Sequence, residues 1–254
     1  MPQQGSMRLK EAQHGINIDM RRQSSVQFTG NGRLLIEYKH QICTTFDFPM
    51  ANGAWYLISL PVVPQDNSVA SLFPDALGAF AWNFENSSYV QAISLEAGRA
   101  YWLLLLHAAT VEVCGQPFTS YTTNYTALGW DMIGAVQEPS EVVDDPEGSI
   151  IAMFGWNPAA QSYMQIDSYT AEPRQGYWTL VYTVPSTISV GSGSASSKGQ
   201  MAKAGMPADL AAFYRRYGAL PPPPPSSADI EQLPVIIIPT EFGPSHNYTN
   251  PFNP

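Results

Sequence analysis

LEAGRAYW (95–102) returns 76 residues later as AEPRQGYW (171–178), and this pair decides how the chain is read. In both places a Glu-led turn runs into Tyr-Trp and then into an apolar stretch, AYWLLLLHAA (100–109) in one and GYWTLVYTV (176–184) in the other. Working outward, WYLIS (55–59) matches WDMIG (130–134), FAWN (80–83) matches FGWN (154–157), and SY (88–89) matches SY (162–163). TVEV (110–113) answers TISV (187–190). Landmarks repeated in one order at nearly constant offset mark an internal duplication.

Each copy reads as short strands. Residues 55–60, 79–84, 89–94, 100–107 and 110–114 are aromatic or β-branched, and turn residues separate them. The separators PQDNS (64–68), FENSS (84–88) and LEAG (95–98), with NPAAQS (157–162) and AEPRQG (171–176), have hairpin length and composition. No helical apolar period of useful length interrupts residues 53–191. The expected fold is therefore all-β: two pseudo-symmetric repeats of short antiparallel strands, as a sandwich or a barrel.

Alternation assigns the faces. Trp178, Leu180, Tyr182 and Val184 form a core face, while Tyr177, Thr179, Val181 and Thr183 read as half wet. In the first copy Tyr101, Leu103 and Leu105 make the second face apolar as well, so it needs a cover. One candidate is a helix over 207–218, where Leu210, Phe213, Tyr214 and Tyr217 share a face; the competitor is the segment 25–40.

The expected organisation has five parts. Residues 1–52 are an N-terminal arm with strands near 25–28 and 34–38 around a Gly30–Gly32 turn. Residues 53–126 and 127–191 are the repeats, and 192–237 is a linker holding the helix and LPPPPPSS (220–227). That run reads as a polyproline II spacer projecting the C-terminal residues away from the body, with 192–206 and 219–246 as mobile connectors. Residues 238–254 form a separate C-terminal element.

The chain has 254 residues and a net charge of −9. Residues 53–191 contain only two basic side chains, Arg99 and Arg174, against 13 acidic ones. Such a body repels a phosphate backbone, which argues against nucleic-acid binding and against anionic membrane surfaces. The longest apolar runs are too short to span a bilayer. Cys43 and Cys114, 71 apart, leave one disulfide open but read as two independent buried thiols.

No catalytic constellation emerges. His14, His40, His107 and His246 have no metal spacing, and neither H-E-x-x-H nor G-x-S-x-G occurs. Glu96 and Glu172 hold equivalent places before the Tyr-Trp strands and are the only carboxylate pair a glycosidase reading could use. They read instead as turn residues bonded to local amides. Glu141, Asp144, Asp145 and Glu147 are the candidate cation ligands, in a loop more simply read as solvated. Among the six tryptophans, Trp82 and Trp156 sit beside turn residues Asn83 and Asn157 and are the candidate ligand platforms; Trp102 and Trp178 read as core. No cofactor is expected.

Two resemblances place the chain. Asn247, Tyr248, Asn250, Pro251, Phe252, Asn253 and Pro254 resemble the opening of the C-terminal sorting domain of type IX secretion substrates, with Thr249 where proline is usual. The resemblance implies an extracellular or outer-surface bacterial protein that meets its secretion machinery through a β-sandwich of which only the start is present. Residues 53–191 look like the repeated tryptophan-containing β-modules that precede such domains. Together they imply a non-catalytic module pair for binding, adhesion or structural presentation, with an extracellular glycan or surface protein as partner. The alternative is an accessory, carbohydrate-binding region of a larger secreted hydrolase.

Overall fold

Among the described residues, runs of aromatic and β-branched side chains become strands almost wherever they occur. The computed structural model describes residues 6–11, 16–20, 35–191, 215–216 and 221–225. Near the N-terminus β1 (Ser6–Glu11), β2 (Ile16–Asp19) and β3 (Leu35–Lys39) form an antiparallel sheet in the order β2-β1-β3. β3 is the strand expected near 34–38; the expected strand at 25–28 and its glycine turn lie outside the described residues.

The first lobe runs through β4 (Ile42–Phe48), β5 (Ala54–Ser59), β6 (Val62–Pro64), the single-turn helix α1 (Val69–Leu72), β7 (Ala76–Asn83), β8 (Ser88–Gln91), β9 (Ala100–Leu105) and β10 (Ala109–Pro117). The second comprises β11 (Ser120–Tyr125), β12 (Gly129–Gly134), β13 (Ser140–Asp145), β14 (Ile150–Asn157), β15 (Ser162–Gln165), β16 (Thr170–Ala171), β17 (Gly176–Val181) and β18 (Ser186–Gly191). The sheet β5-β9-β7-β8 corresponds strand for strand to β12-β17-β14-β15. Even a register shift recurs, between Ala76 and Gly78 in one copy and between Ile150 and Ala152 in the other. The outer sheets, β4-β10-β6 and β11-β18-β13-β16, also correspond at their centres.

Strand pairing draws the repeats differently from the sequence. β11 pairs with β18, and its counterpart β4 pairs with β10. The lobes are therefore 42–117 and 120–191; the expected first repeat, 53–126, leaves out β4 and takes in β11 from its neighbour.

The four sheets of the two lobes stack in four layers separated by three apolar seams. Phe46, Phe48, Phe73, Tyr101, Leu103 and Leu105 belong to the first lobe's own core. Tyr125, Ile133, Met153, Tyr177, Val181 and Ile188 belong to the second lobe's core. The central seam lies between the two four-stranded sheets and contains Trp55, Trp82, Trp102, Trp130 and Trp178.

Two expectations change as a result. All six residues of β17 are buried, Thr179 included, because an inner sheet is covered on both faces. The apolar Tyr101-Leu103-Leu105 face is covered by the lobe's own outer sheet with Phe73, so neither the downstream helix nor residues 25–40 is needed there. Of that helix only Arg215 and Arg216 are described, helical and exposed; Leu210, Phe213, Tyr214 and Tyr217 lie outside the described residues.

Cys43 stands directly opposite Cys114 on paired strands β4 and β10, and the two form a disulfide with Cα atoms 4.0 Å apart. The reading as two separate thiols is overturned. Sequence spacing hides the pairing because it is the strand register of β4 and β10, not the separation of 71 residues, that sets the two side by side.

Candidate functional site

The joint between the lobes is built from alternate residues of the inner strands. On β5, Tyr56 and Ile58 point into the first lobe while Trp55 and Leu57 point at the second. β12 repeats the choice: Ile133 faces its own core, and Trp130 and Met132 face the partner sheet. The indoles interlock edge to face. Trp82 meets Trp178 with ring centroids 5.0 Å apart, and Trp102 meets Trp156 at the same distance.

Hydrogen bonds repeat the symmetry. Trp82 Nε1 donates to the Trp130 carbonyl at 2.8 Å, and Trp156 Nε1 donates to the Trp55 carbonyl at 2.8 Å. At the corners the backbones bond directly: Ser59 N donates to Arg174 O at 2.9 Å and Gly134 N to Gly98 O at 3.0 Å. Gly134 and Gly176 allow this approach. A Cβ on Gly134 would stand 2.8 Å from backbone atoms of Gly98 and Arg99; one on Gly176 would stand 2.6 Å from the Ala100 Cβ. Ser59 Oγ donates to Gln175 O and accepts from Ala135 N, binding one corner further.

Above the seam stand two tyrosines at equivalent places. Tyr89 leans on Trp82 and Tyr163 on Trp156, both at 5.0 Å and 70°. The Tyr89 hydroxyl accepts from Trp102 Nε1 at 3.1 Å, which turns its own proton outward. That proton is donated to the Pro223 carbonyl at 2.6 Å. Tyr163 Oη donates to the carbonyl of Pro222. Burial pushes the Tyr163 hydroxyl far above its ordinary acidity range, so it remains a neutral donor. Its neighbour Trp178 Nε1, the counterpart of Trp102 Nε1, is buried without a well-formed hydrogen bond. Pro221 and Pro225 are buried, Pro222 and Pro224 half-buried, and Pro223 exposed. The proline run lies as a strap on the body here and does not project from it, which corrects the spacer reading for 221–225. Residues 192–206, read as the other connector, lie outside the described residues.

The expected site residues fall elsewhere. Trp82 is buried and Trp156 half-buried, each with its indole N–H committed across the seam, so neither offers an open platform. Asn83 Oδ1 accepts from Asn86 N, and Asn157 Oδ1 accepts from Ala159 N and Ala160 N; both shape hairpin turns. Asp144 is buried and its Oδ2 accepts from Ile150 N, while Glu141, Asp145 and Glu147 are exposed. No three of these carboxylates converge at ligating distance. The one His/Cys/Asp/Glu group that converges among the described residues is Cys43, Glu112 and Cys114, and its sulfurs are tied up in the disulfide. Glu96 and Glu172 are exposed; their backbone amides, not their carboxylates, make the turn bonds, donating to the Tyr101 and Tyr177 hydroxyls at 2.9 and 2.8 Å. The sorting-like residues 247–254 lie outside the described residues.

One buried polar group has no signature in the sequence. The Tyr125 hydroxyl donates to Asp131 Oδ2 at 2.8 Å inside the second lobe. Asp131 retains a partial opening to solvent, yet protein crowds it, and burial outweighs that hydrogen bond and raises its carboxyl above the ordinary 3.8.

Tyr89 and Tyr163 are legible in the sequence as a repeated Ser-Tyr pair, and the proline run as a helix without internal hydrogen bonds. Nothing local joins them, since the contacts span 134 and 59 residues. Comparison with family models, with curated proteins and with solved structures gives no match.

Proposed function

We propose that this chain is an extracellular, non-catalytic module pair whose role is structural presentation at the cell surface. The observation that carries the reading is the reciprocal tryptophan seam, which binds the two copies into one four-layer block. A Trp kept in both copies for binding would be open; these serve to make the block rigid. The Cys43–Cys114 disulfide fits an oxidising compartment. No helix among the described residues is long and apolar enough to cross a membrane. The sorting-like segment at 238–254 would connect the block to the secretion machinery.

Two measurements test this on the full chain in its producing cells. Labelling of intact cells with a membrane-impermeant amine reagent should modify the protein, and a purely internal location would refute it. Purified protein should leave glycans, peptides and esters intact; hydrolysis abolished by Glu96→Gln or Glu172→Gln would replace presentation with catalysis. Binding on a glycan array that disappears in Trp156→Ala would restore the carbohydrate reading.

A further inference from the structure

The geometry points to a polyproline-binding groove between Tyr89 and Tyr163, occupied by the chain's own Pro221–Pro225 and able to take a proline-rich peptide when that segment is removed. The walls are aromatic and their polar atoms face the strap as donors: the Tyr89 hydroxyl to Pro223 O and the Tyr163 hydroxyl to Pro222 O. A wall of rings and donors suits a ligand that carries acceptors and no donors. Consecutive prolines are such a ligand, since they lack backbone N–H groups and their carbonyls make no internal hydrogen bonds. An ordinary extended peptide would bring an amide N–H at every residue, and burying such a donor against a ring without a partner costs free energy, whereas a proline brings none.

Geometry selects the same ligand. A polyproline helix has three residues per turn, so neighbouring carbonyls point about 120° apart. Opposed walls can therefore take one carbonyl each from adjacent residues, as Tyr163 and Tyr89 do from Pro222 and Pro223. The pyrrolidine ring fixes φ in every residue, so little conformational freedom is lost on docking. The buried ends, Pro221 and Pro225, give the run two further anchors about a helical turn apart. Residues 192–220 join it covalently to the block, so its docking is intramolecular and favoured over that of a free peptide. The bound strap thus competes with any proline-rich chain arriving from outside.

The test uses the full chain and a synthetic LPPPPPSS peptide. Replacing Pro221–Pro225 by Gly-Ser-Gly-Ser-Gly should leave the block folded by circular dichroism and open the groove. Peptide titrated into this variant, followed by tryptophan fluorescence, should bind saturably, whereas the unaltered chain should bind at least roughly tenfold more weakly. Adding Tyr89→Phe and Tyr163→Phe to the opened variant removes both donors without removing the rings and should weaken binding roughly tenfold or more. A scrambled Gly/Ser peptide should give no signal. No binding to the folded, opened variant, equal binding to the unaltered chain, or indifference to the tyrosine changes would each overturn the assignment. If the proline replacement fails to fold, the two tyrosine changes in the intact chain give a second readout. Proteolysis within 192–220 should then release the C-terminal stretch, and retention after cleavage in that variant would equally refute it.

Discussion

Trp82 and Trp156, 74 residues apart, make the same hydrogen bond in opposite directions: each indole crosses the seam to the carbonyl of the other lobe's leading tryptophan, at 2.8 Å. Each lobe thus completes the other.

Removing one donor should show this. Trp82→Phe or Trp156→Phe loses the cross-lobe bond and part of the ring volume, at about 1–3 kcal/mol each. Urea unfolding should shift to lower midpoint while remaining a single transition. Two separated transitions in the unaltered chain would mean that the lobes are independent.

Close backbone approach sets a second expectation. Gly134→Ala and Gly176→Ala place a Cβ 2.8 Å from backbone atoms of Gly98 and 2.6 Å from the Ala100 Cβ, respectively. Backbone at Gly134 cannot yield as a flexible side chain would, so a loss of about 1–3 kcal/mol is expected. Gly155→Ala is the control, because its nearest neighbour would stand at 3.6 Å. Equal effects at Gly155 and Gly134 would contradict the close-contact account.

Much of this architecture is legible in the residues alone. The duplication, the all-β class and most strands of each copy follow from aromatic landmarks and turn residues. Alternation misjudges the wetness of Thr179 because it reports on one covering layer, and β17 has two. The disulfide is hidden because register, not spacing, puts Cys43 opposite Cys114. Trp82 and Trp156 fail as platforms for a related reason: their nearness to turns in sequence says nothing of the second lobe lying over them.

The disulfide closes a long loop in the first lobe, and the equivalent register position in the second is Ser120 opposite Gly191. Cys43→Ser with Cys114→Ser should therefore lower stability by about 2–4 kcal/mol. Reductant should reproduce the shift in the unaltered chain and leave the double variant unmoved; a reductant effect on the variant would point to some other cause.

Asp131 predicts a pH dependence. Burial raises its carboxyl above 3.8, so between that value and the raised one the folded state holds more protons than the unfolded. Stability from this group is full at low pH, falls as pH climbs through the window, and stays lower above it. Asp131→Asn keeps an acceptor for Tyr125 and should be more stable at neutral pH, with that slope removed. Parallel pH profiles for the two proteins would exclude Asp131 as the source.

The strap over the seam has a polarity that its walls lack. Tyr89 and Tyr163 are equivalent by the duplication, whereas a proline helix reads differently from its two ends. A free peptide would thus meet two docking directions of similar quality, related by the pseudo-twofold. Covalent attachment chooses between them: the strap enters at Pro221 and ends at Pro225, so the bound run has one fixed direction on a nearly symmetric body.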